Sequence, residues 1–325
     1  MRIVAAQHDP PVWTLPAAQV RRIAQALPDD TVIDARSPEE RLAAFAEADV
    51  IISARMSADE VAAAKNLKWV QSTAVGVEWL KALMESGRDV LITNVRGVHS
   101  DTIAEHAIAL VLALRRRLHV AAARQATRTW SQTELQEVRN PPLSESRLVV
   151  VGLGAIGSRV AVLARGLGMR VTGVRRRPDQ PVPDAVEQVT GPEGLKAALA
   201  SADAVVLAAP KTAETRAMIG AEELAVMRPS AVLVNAARGR LIDDAALVDA
   251  LERGVIAGAG LDAFAREPLP DADPLWRLPN VLITPHTAPF GGDYWEAAVD
   301  FFLQNMTRFR RGEPLVNVID RAGGY

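Results

Sequence analysis

Four side chains suited to acid–base and anion chemistry follow short apolar runs in the second half of the sequence. They are Arg238, Asp262, Glu267 and His286. Imidazole titrates near neutral pH, which makes His286 the best general acid among them. Glu267 is suited to hydrogen-bond the other ring nitrogen, and Arg238 offers a planar pair of donors for a carboxylate. This set predicts proton transfer to a carbonyl group of an anionic substrate.

A glycine-rich segment supplies a partner for that chemistry. The β-branched run Val149–Val151 leads into Gly152, Gly154 and Gly157, which have the spacing G-x-G-x-x-G. In such a turn the first glycine allows the bend, the second lets backbone N–H groups approach a pyrophosphate, and the third lets the following helix pack on the strand. The helix start adds a positive dipole end. The segment predicts a dinucleotide-binding site; the alternative is an ordinary strand-to-helix turn.

Three consecutive arginines refine the predicted ligand. The strand after the glycine turn ends in Arg175, Arg176 and Arg177, where an NAD site normally has an acid that binds the ribose hydroxyls. Guanidinium groups instead form charge-assisted, often bidentate contacts with phosphate oxygens. We therefore predict NADP(H) in preference to NAD(H), with Arg175 and Arg176 as contacts of the 2′-phosphate. A solvated basic turn is the alternative.

These features combine into one candidate reaction, the reduction of a 2-keto acid. It requires a hydride from nicotinamide, a proton for the new alkoxide and an anchor for the carboxylate. His286 would give the proton and Glu267 would orient its ring. Arg238 would hold the carboxylate and polarise the carbonyl as charge develops. We expect Asp262 to face the nicotinamide side of the cofactor.

The elements between these residues must bring them to one place. Short apolar runs alternate with helical patterns throughout, and parallel strands direct their carboxyl ends, where ligands bind, to one edge of a sheet. The predicted strands are 2–6, 31–34, 50–53, 69–72 and 90–93, then 148–151, 170–174, 204–208, 231–235, 256–261 and 281–284. Capping signals at Ser37-Pro38-Glu39-Glu40 and Ser57-Ala58-Asp59-Glu60 mark two helix starts.

The pattern predicts an α/β fold with two doubly wound parallel-sheet domains. A Rossmann cofactor domain, 99–291, is expected to be inserted into a flavodoxin-like substrate domain, 1–98 plus 292–325. The helical segment 293–311 comes too late in the chain for the second sheet, so we expect it to return to the first domain. One long helix is expected over Asp101–Ala123.

The composition excludes several other classes of protein. The 325 residues are 49% hydrophobic and 23% charged with a net charge of −2, so the chain can bury a sizeable core and has no broad basic surface for nucleic acid. Without cysteine there is no disulfide, thiolate metal site or cysteine nucleophile, and we expect no metal. The longest apolar run, Ala107–Leu114, is shorter than the roughly 18 residues of a membrane span. The N-terminus lacks a signal-peptide pattern. We expect a cytoplasmic protein that does not bind membranes.

The motifs resemble those of the D-isomer-specific 2-hydroxyacid dehydrogenases, in the glyoxylate/hydroxypyruvate reductase-like branch. The resemblance covers nearly the whole chain. Its motifs are Gly152–Gly157, Thr212–Arg216, Asn235–Gly239, Gly260–Phe264 with Glu267–Leu269, Thr284–His286 and the closing segment Pro314–Asp320. The family's catalytic Arg, Glu and His would correspond to Arg238, Glu267 and His286.

The resemblance implies further contacts and an assembly. Backbone N–H groups of a substrate-domain loop at Val75 and Gly76 would hold the substrate carboxylate, and Arg55 is a candidate for the same carboxylate or a distal phosphate. A homodimer is implied, with the Asp101–Ala123 helix at its interface. The expected cofactor contacts, besides the glycines and arginines above, are Ala155, Ile156, Pro210, Thr215, Ala236, Asp262 and His286.

Several functions remain open on the sequence. The first hypothesis is an NADPH-dependent reductase of small 2-keto acids such as glyoxylate or hydroxypyruvate, giving D-2-hydroxy acids. D-3-phosphoglycerate oxidation and phosphite oxidation are alternatives within the same family, whereas formate oxidation is disfavoured because formate enzymes carry Gln at the position of Glu267. A nucleotide-sensing scaffold similar to the family's transcriptional corepressors is an alternative of another class.

Overall fold

Two compact units make up the chain. A computed structural model describes residues 1–7, 14–136, 141–291 and 294–321. The first unit comprises Met1–His99 and Gly291–Tyr325, and the second comprises Ser100–Phe290. Each division lies one residue from the boundary expected from the sequence. His8 to Trp13, part of the N-terminal segment that lacks a signal-peptide pattern, lie outside the described residues.

The first unit is built on a parallel sheet. Its described residues form five strands in the order β2-β1-β3-β4-β5. The elements are β1 Arg2–Ala6, α1 Ala17–Ala26, β2 Thr31–Ala35, α2 Pro38–Phe45, β3 Val50–Ile52, α3 Ala58–Ala63, β4 Trp69–Gln71, a 3₁₀ turn Glu78–Leu80, α4 Lys81–Glu85 and β5 Leu91–Thr93. A final helix of this unit, Tyr294–Arg310, is numbered α12 in chain order.

Both predicted capping boxes are present in this unit. The Ser37 hydroxyl accepts a hydrogen bond from the Glu40 backbone N–H, and the Glu40 carboxylate accepts one from the Ser37 N–H. Pro38 lies in the first turn of α2. Ser57 and Glu60 repeat the arrangement at the start of α3. These caps satisfy backbone donors that the helix itself leaves without partners.

Apolar residues cover both faces of the first sheet. On one face α12 places Phe302 against Trp69, with ring centroids 5.3 Å apart. The indole N–H of Trp69 donates to the Thr93 hydroxyl at 2.8 Å, so its polar atom is satisfied within the core. The opposite face packs α2, α3 and α4 through residues that include Phe45 and Leu83.

The second unit is a larger parallel sheet with helices on both faces. Its described residues form seven parallel strands in the order β12-β11-β10-β9-β6-β7-β8. Successive strands are added on one side of β6 as far as β8 and on its other side from β9 onward. The elements are α5 Ser100–Arg115, α6 Leu118–Ala126, α7 Gln132–Gln136, β6 Arg147–Val151, α8 Ala155–Gly166, β7 Arg170–Val174, β8 Gln188–Thr190, α9 Leu195–Ser201, β9 Ala204–Leu207, α10 Ala221–Ala225, β10 Val232–Asn235, α11 Asp244–Glu252, β11 Gly258–Leu261 and β12 Val281–Ile283, with 3₁₀ turns at Leu143–Glu145, Pro192–Gly194, Gly239–Leu241 and Pro274–Arg277.

The second unit differs from the expected elements in two places. Strand β8 was not predicted, because Gln188–Thr190 has no apolar run; it pairs with β7 at the edge of the sheet. The single helix expected over Asp101–Ala123 is wrong: α5 ends at Arg115 and α6 begins at Leu118. Arg117 adopts a left-handed φ of 54° between them, and its guanidinium donates to the Glu134 carbonyl at 2.8 Å.

The strands of the second sheet end in register. Val151 of β6 pairs across to Leu207 of β9, which pairs with Asn235 of β10. Asn235 in turn pairs with Leu261 of β11, and Leu261 with Ile283 of β12. The loops that follow these strands therefore start side by side at the carboxyl-terminal edge of the sheet, which is the edge where ligands bind in such folds.

Candidate active site

Two glycines of the G-x-G-x-x-G turn are required by packing inside the protein. Gly152 has a φ of +98°, and a Cβ there would lie 2.6 Å from the backbone nitrogen of Ala209. A Cβ on Gly157 would lie 1.8 Å from the carbonyl oxygen of Gly152. No side chain larger than hydrogen fits at either position, so the turn presses β6, the β9 loop and α8 together.

Gly154 differs from its two neighbours in the motif. A Cβ built there would meet no atom within 4 Å, and its φ of −80° is open to any residue. Packing and backbone strain therefore do not explain this glycine. It immediately precedes α8, which begins at Ala155 without a side-chain cap. The open approach to a helix N-terminus is what a dinucleotide pyrophosphate requires, so the turn fits an NAD(P) cofactor.

His286 and Glu267 form a hydrogen-bonded pair, as the sequence predicts. The His286 Nδ1–H donates to Glu267 Oε2 at 2.7 Å, while Glu267 Oε1 accepts from the backbone N–H of Phe264 at 2.9 Å. Both side chains are partly accessible, at 31% and 36% of full exposure. Glu267 therefore holds the Nδ1 nitrogen of the His286 ring, and Nε2 is the second nitrogen of that ring.

Electrostatics keep the Glu267 carboxyl ionised. Burial raises the pKa of this group, but the hydrogen bond and charge of His286, the Phe264 N–H and the charge of Arg238 outweigh burial and leave the pKa below the ordinary value of a glutamate. The influence of Arg238 on this carboxyl indicates that the three candidate catalytic groups share one electrostatic environment.

Arg238 begins a tight turn after β10. The Asn235 side chain shapes this turn, since its Oδ1 accepts from the Ala237 N–H at 3.1 Å and its Nδ2 donates to the Arg238 carbonyl at 2.9 Å. The adjacent Gly239 lies against the loop that leads to Glu267: a Cβ on Gly239 would lie 1.8 Å from the carbonyl carbon of Phe264. This close approach joins the loops that carry Arg238 and Glu267.

Asp262 follows β11 and is almost completely buried, with 1% of its surface exposed. Its Oδ1 accepts from the Thr284 hydroxyl at 2.6 Å and the Thr287 N–H at 2.8 Å, and its Oδ2 accepts from the Ala288 N–H at 3.0 Å. Asp262 thus holds the loop that contains His286. The contact with the cofactor expected for Asp262 stays a prediction.

The loop after β9 is fixed by its own threonines. Thr215 donates through its hydroxyl to the Pro210 carbonyl at 2.7 Å and accepts from the Thr212 N–H at 2.8 Å. The loop begins beside Gly152, against which Ala209 packs. Ala236, after β10, is half-buried against the core. The cofactor contacts expected for Pro210, Thr215 and Ala236 stay predictions.

The basic turn after β7 divides its arginines between two roles. The Arg175 guanidinium donates to the carbonyls of the following turn: Pro181 at 3.2 Å, Pro178 at 3.4 Å and Gln180. Arg176 is exposed. Hydrogen bonds from the Thr212 hydroxyl and its own backbone lower the pKa of the Glu214 carboxyl, and the charge of Arg176 adds to this effect. In this structure Arg175 therefore braces the turn, and Arg176 is the more accessible cation.

The first unit holds the remaining candidate substrate residues. Asn94 donates to the Val75 carbonyl at 2.6 Å, and Ser72 accepts from the Ala74 N–H at 3.2 Å, which fixes the loop containing Val75 and Gly76. Arg55, after β3, stacks its guanidinium over the Trp79 ring at 4.7 Å from the centroid.

Two aromatic residues at the start of α12 pack within this unit. Tyr294 is buried, stacks on His99 with ring centroids 4.0 Å apart and donates to the Thr73 carbonyl at 3.0 Å. Trp295 packs against the core cluster of α12.

Asn235, Thr284 and His106 are site residues to which the sequence assigned no role of their own, although Asn235 and Thr284 lie within motifs of the family. His106 lies on α5 with its Nε2 2.9 Å from the Thr284 hydroxyl and 3.5 Å from Asp262 Oδ1. Thr284 and Asn235 stand at strand ends, the position that pointed to Arg238 and His286. His106 interrupts the apolar pattern of α5, which was its one signal.

The strand order, the glycine turn and the Arg–Glu–His arrangement define an α/β oxidoreductase that uses a nicotinamide dinucleotide. Comparison with known proteins gives the family. Residues 108–288 match the NAD binding domain of the D-isomer specific 2-hydroxyacid dehydrogenases, and the chain belongs to this family. The resemblance, the fold class and the enzyme class inferred from the motifs are thereby confirmed: the protein is a D-2-hydroxyacid dehydrogenase.

One similar sequence and two similar solved structures show which members of the family the chain resembles. A glyoxylate reductase of Korarchaeum cryptofilum is 35% identical over 269 residues, covering 82% of this chain and 80% of that protein. A D-isomer specific 2-hydroxyacid dehydrogenase of Xanthobacter autotrophicus Py2, solved in complex with NADPH and MES, has a TM-score of 0.85 and 30% identity over 100% of this chain and 99% of its own. An NADPH-dependent glyoxylate/hydroxypyruvate reductase of Sinorhizobium meliloti, solved with NADP and sulfate, has a TM-score of 0.83 and 26% identity at the same coverage.

Among the described residues, no helix is long and apolar enough to cross a membrane. The same described residues contain no group of three or more His, Asp or Glu side chains arranged to hold a metal ion.

Proposed function

We propose that this dehydrogenase reduces small 2-keto acids of the glyoxylate and hydroxypyruvate type to D-2-hydroxy acids with NADPH. The pairing of His286 with Glu267 at 2.7 Å, at the sheet edge that also carries the glycine turn and Arg238, is the observation that carries this proposal. The names of the Korarchaeum and Sinorhizobium relatives support the substrate class.

In the proposed reaction His286 gives the proton. Its Nδ1 is committed to Glu267, so Nε2 is the atom that protonates the carbonyl oxygen as the alkoxide forms. The ionised Glu267 fixes the plane of the ring and is complementary to the charged imidazole. The bound nicotinamide dinucleotide supplies the hydride.

Arg238 binds the substrate in this proposal. It forms a bidentate contact with the carboxylate and stabilises the charge that develops on the carbonyl oxygen. The carboxylate contacts that the sequence predicts for the backbone N–H groups of Val75 and Gly76 stay predictions, on a loop whose shape is maintained by Asn94. The same holds for Arg55, whose guanidinium lies over the Trp79 ring.

The preference for NADPH rests on the arginines after β7. That strand end carries no acid to bind ribose hydroxyls, and the exposed Arg176 is suited to pair with a 2′-phosphate. Arg175 supports the turn that presents Arg176. Complexes of the Xanthobacter and Sinorhizobium relatives with NADPH and NADP support the same preference.

Single alanine variants test this division of roles. Arg176→Ala should lower the ratio of kcat/KM with NADPH to kcat/KM with NADH by about tenfold or more, the effect of losing a charged hydrogen bond. Arg175→Ala should weaken both cofactors together, because it loosens the turn. Arg177→Ala is the matched control from the same basic run and should leave the ratio near wild type. An unchanged ratio in Arg176→Ala would contradict the assignment.

The substrate assignment is tested by steady-state turnover of purified enzyme, followed by the absorbance of reduced nicotinamide. Glyoxylate and hydroxypyruvate should be reduced faster with NADPH than 3-phosphohydroxypyruvate, and the hydroxypyruvate product should be the D isomer. Oxidation of phosphite or D-3-phosphoglycerate at a higher kcat/KM would reject the substrate class. NADPH binding without turnover of any of these compounds would favour a sensor.

We also propose a cytoplasmic homodimer that forms through the α5–α6 segment. Helices α6 and α7 bury none of their described side chains within the chain, and Leu118 and Trp130 are 55% and 89% exposed. A second subunit would cover these side chains. Light scattering of the purified protein should give twice the monomer mass, and a monomer mass at micromolar concentration would reject the dimer.

A further inference from the structure

Helix α5 contacts the loop that carries His286 through two residues on one face. Thr102 and His106 are four positions apart, so they lie one turn apart on the same side of the helix. The Thr102 hydroxyl donates to the Pro289 carbonyl at 3.3 Å, and His106 Nε2 lies 2.9 Å from the Thr284 hydroxyl. The two contacts fall on either side of His286 in the chain.

The hydrogen atoms in this network can be assigned from donor and acceptor chemistry. The buried Asp262 carboxylate can only accept hydrogen bonds. The Thr284 hydroxyl donates its single hydrogen to Asp262 Oδ1 at 2.6 Å. The contact between Thr284 and His106 therefore needs a proton on His106 Nε2. This proton is donated to the Thr284 oxygen and completes a chain from α5 to the carboxylate.

The loop needs this support because of the conformation of His286. Its φ of 54° lies in the left-handed region that favours glycine and costs free energy for other residues. The two N–H groups that follow, those of Thr287 and Ala288, bind the Asp262 carboxylate. Anything that releases Asp262 lets His286 return to a more common conformation, away from Glu267.

We propose that His106 and Thr284 are positioning residues for the proton donor: they hold Asp262, which holds the left-handed backbone of His286 and keeps its ring on Glu267. Neither residue exchanges a proton with the substrate. Their contribution is to the geometry of the loop, where a displacement of about 1 Å can cost up to about a hundredfold in rate.

Substitutions at His106 separate this role from simple packing. His106→Gln keeps an N–H donor near the position of Nε2, whereas His106→Leu keeps the volume and removes the donor. His106→Leu should lower kcat on the order of tenfold to a hundredfold with the Kd of NADPH near wild type, and His106→Gln should restore most of kcat. His119→Leu is the matched control, because that partly buried histidine lies on α6 and its Nδ1 contacts the Ala113 carbonyl near the end of α5 at 3.5 Å.

Thr284 gives the second half of the test. Thr284→Val removes the hydroxyl with little change of shape, and Thr284→Ser retains it. Since the two residues act through one chain of hydrogen bonds, the double variant His106→Leu/Thr284→Val should lose little more kcat than either single variant. Equal losses in His106→Gln and His106→Leu, or fully multiplicative losses in the double variant, would overturn the proposal.

The kcat tests above rest on the proposed 2-keto acid substrate. A measurement made without substrate tests the positioning role separately. The His286 Nδ1–H bound to Glu267 should give a downfield proton resonance, assigned by its loss in Glu267→Gln. The signal should shift or broaden in His106→Leu and Thr284→Val and remain in His106→Gln. A signal unchanged in both disruptive variants would overturn the positioning role, even if no 2-keto acid were turned over; if wild type is inactive and the signal still responds, only the proposed substrate fails.

Discussion

The glycine turn after β6 and the His286 loop after β12 leave the same sheet edge, yet they are held by different forces. Backbone contacts shape the glycine turn: Gly152 and Gly157 leave no room for a Cβ against neighbouring backbone. Side-chain hydrogen bonds from distant positions shape the His286 loop, with Asp262 and Glu267 as the acceptors. The glycines that shape the cofactor turn therefore lie within six consecutive residues, whereas the proton-donor loop depends on side chains from several other elements.

The largest effect on the free energy of unfolding is expected within the glycine turn. Gly157→Ala places a methyl group against the Gly152 carbonyl and should lower the free energy of unfolding by about 1–3 kcal/mol or more. Gly154→Ala meets no protein atom and should leave thermal unfolding near wild type while weakening NADPH binding.

Calorimetry of unfolding and of NADPH binding separates the two variants. If Gly154→Ala destabilises the protein as much as Gly157→Ala, packing rather than a ligand explains that glycine. If it binds NADPH as wild type does, the pyrophosphate does not approach Gly154.

A smaller effect, on kcat, is expected at Gly239, where a close backbone contact adjoins a hydrogen bond that holds a catalytic side chain. A methyl group there would displace the Phe264–Ala265 backbone, and the Phe264 N–H is one of the donors that hold Glu267. Gly239→Ala should therefore lower kcat more than it changes NADPH affinity, on the order of tenfold. Gly166→Ala controls for an alanine substitution in the same unit, since a Cβ at Gly166 meets nothing within 4 Å and its φ is not in the left-handed region. Full activity in Gly239→Ala would show that the loop tolerates the displacement.

The smallest effect concerns acid stability and the Glu267 carboxyl. Its pKa is lowered in the folded protein, so the stability that it contributes is fully present above the unfolded value of about 4.3 and is lost as the pH falls through the lower folded value. The difference in free energy of unfolding between wild type and Glu267→Gln should be constant near neutral pH and shrink below about pH 4.3. Denaturant titrations across this range measure it, and a difference that grows toward acid pH would contradict the sign.

The same contrast explains what the sequence could predict. The spacing of Gly152, Gly154 and Gly157 sufficed for the cofactor turn, and residues just past β10 and β12 marked Arg238 and His286. His106 could not be found this way, because its partner Thr284 is distant in the chain and one polar residue in an apolar helix has no distinctive spacing. The break between α5 and α6 was missed because the side-chain pattern continues across Arg117, whose turn depends on a tertiary contact with Glu134.

The most direct test of the catalytic centre is a double-mutant comparison of kcat for His286→Gln, Glu267→Gln and the variant carrying both. General acid catalysis is worth about 10² to 10⁴ in rate, so His286→Gln should lose that much with NADPH still bound. Because Glu267 acts through the imidazole, the double variant should be little slower than His286→Gln alone. If the two losses multiply, or if His286→Gln turns over 2-keto acids at the wild-type rate, the pair is not the proton-donating unit of this enzyme.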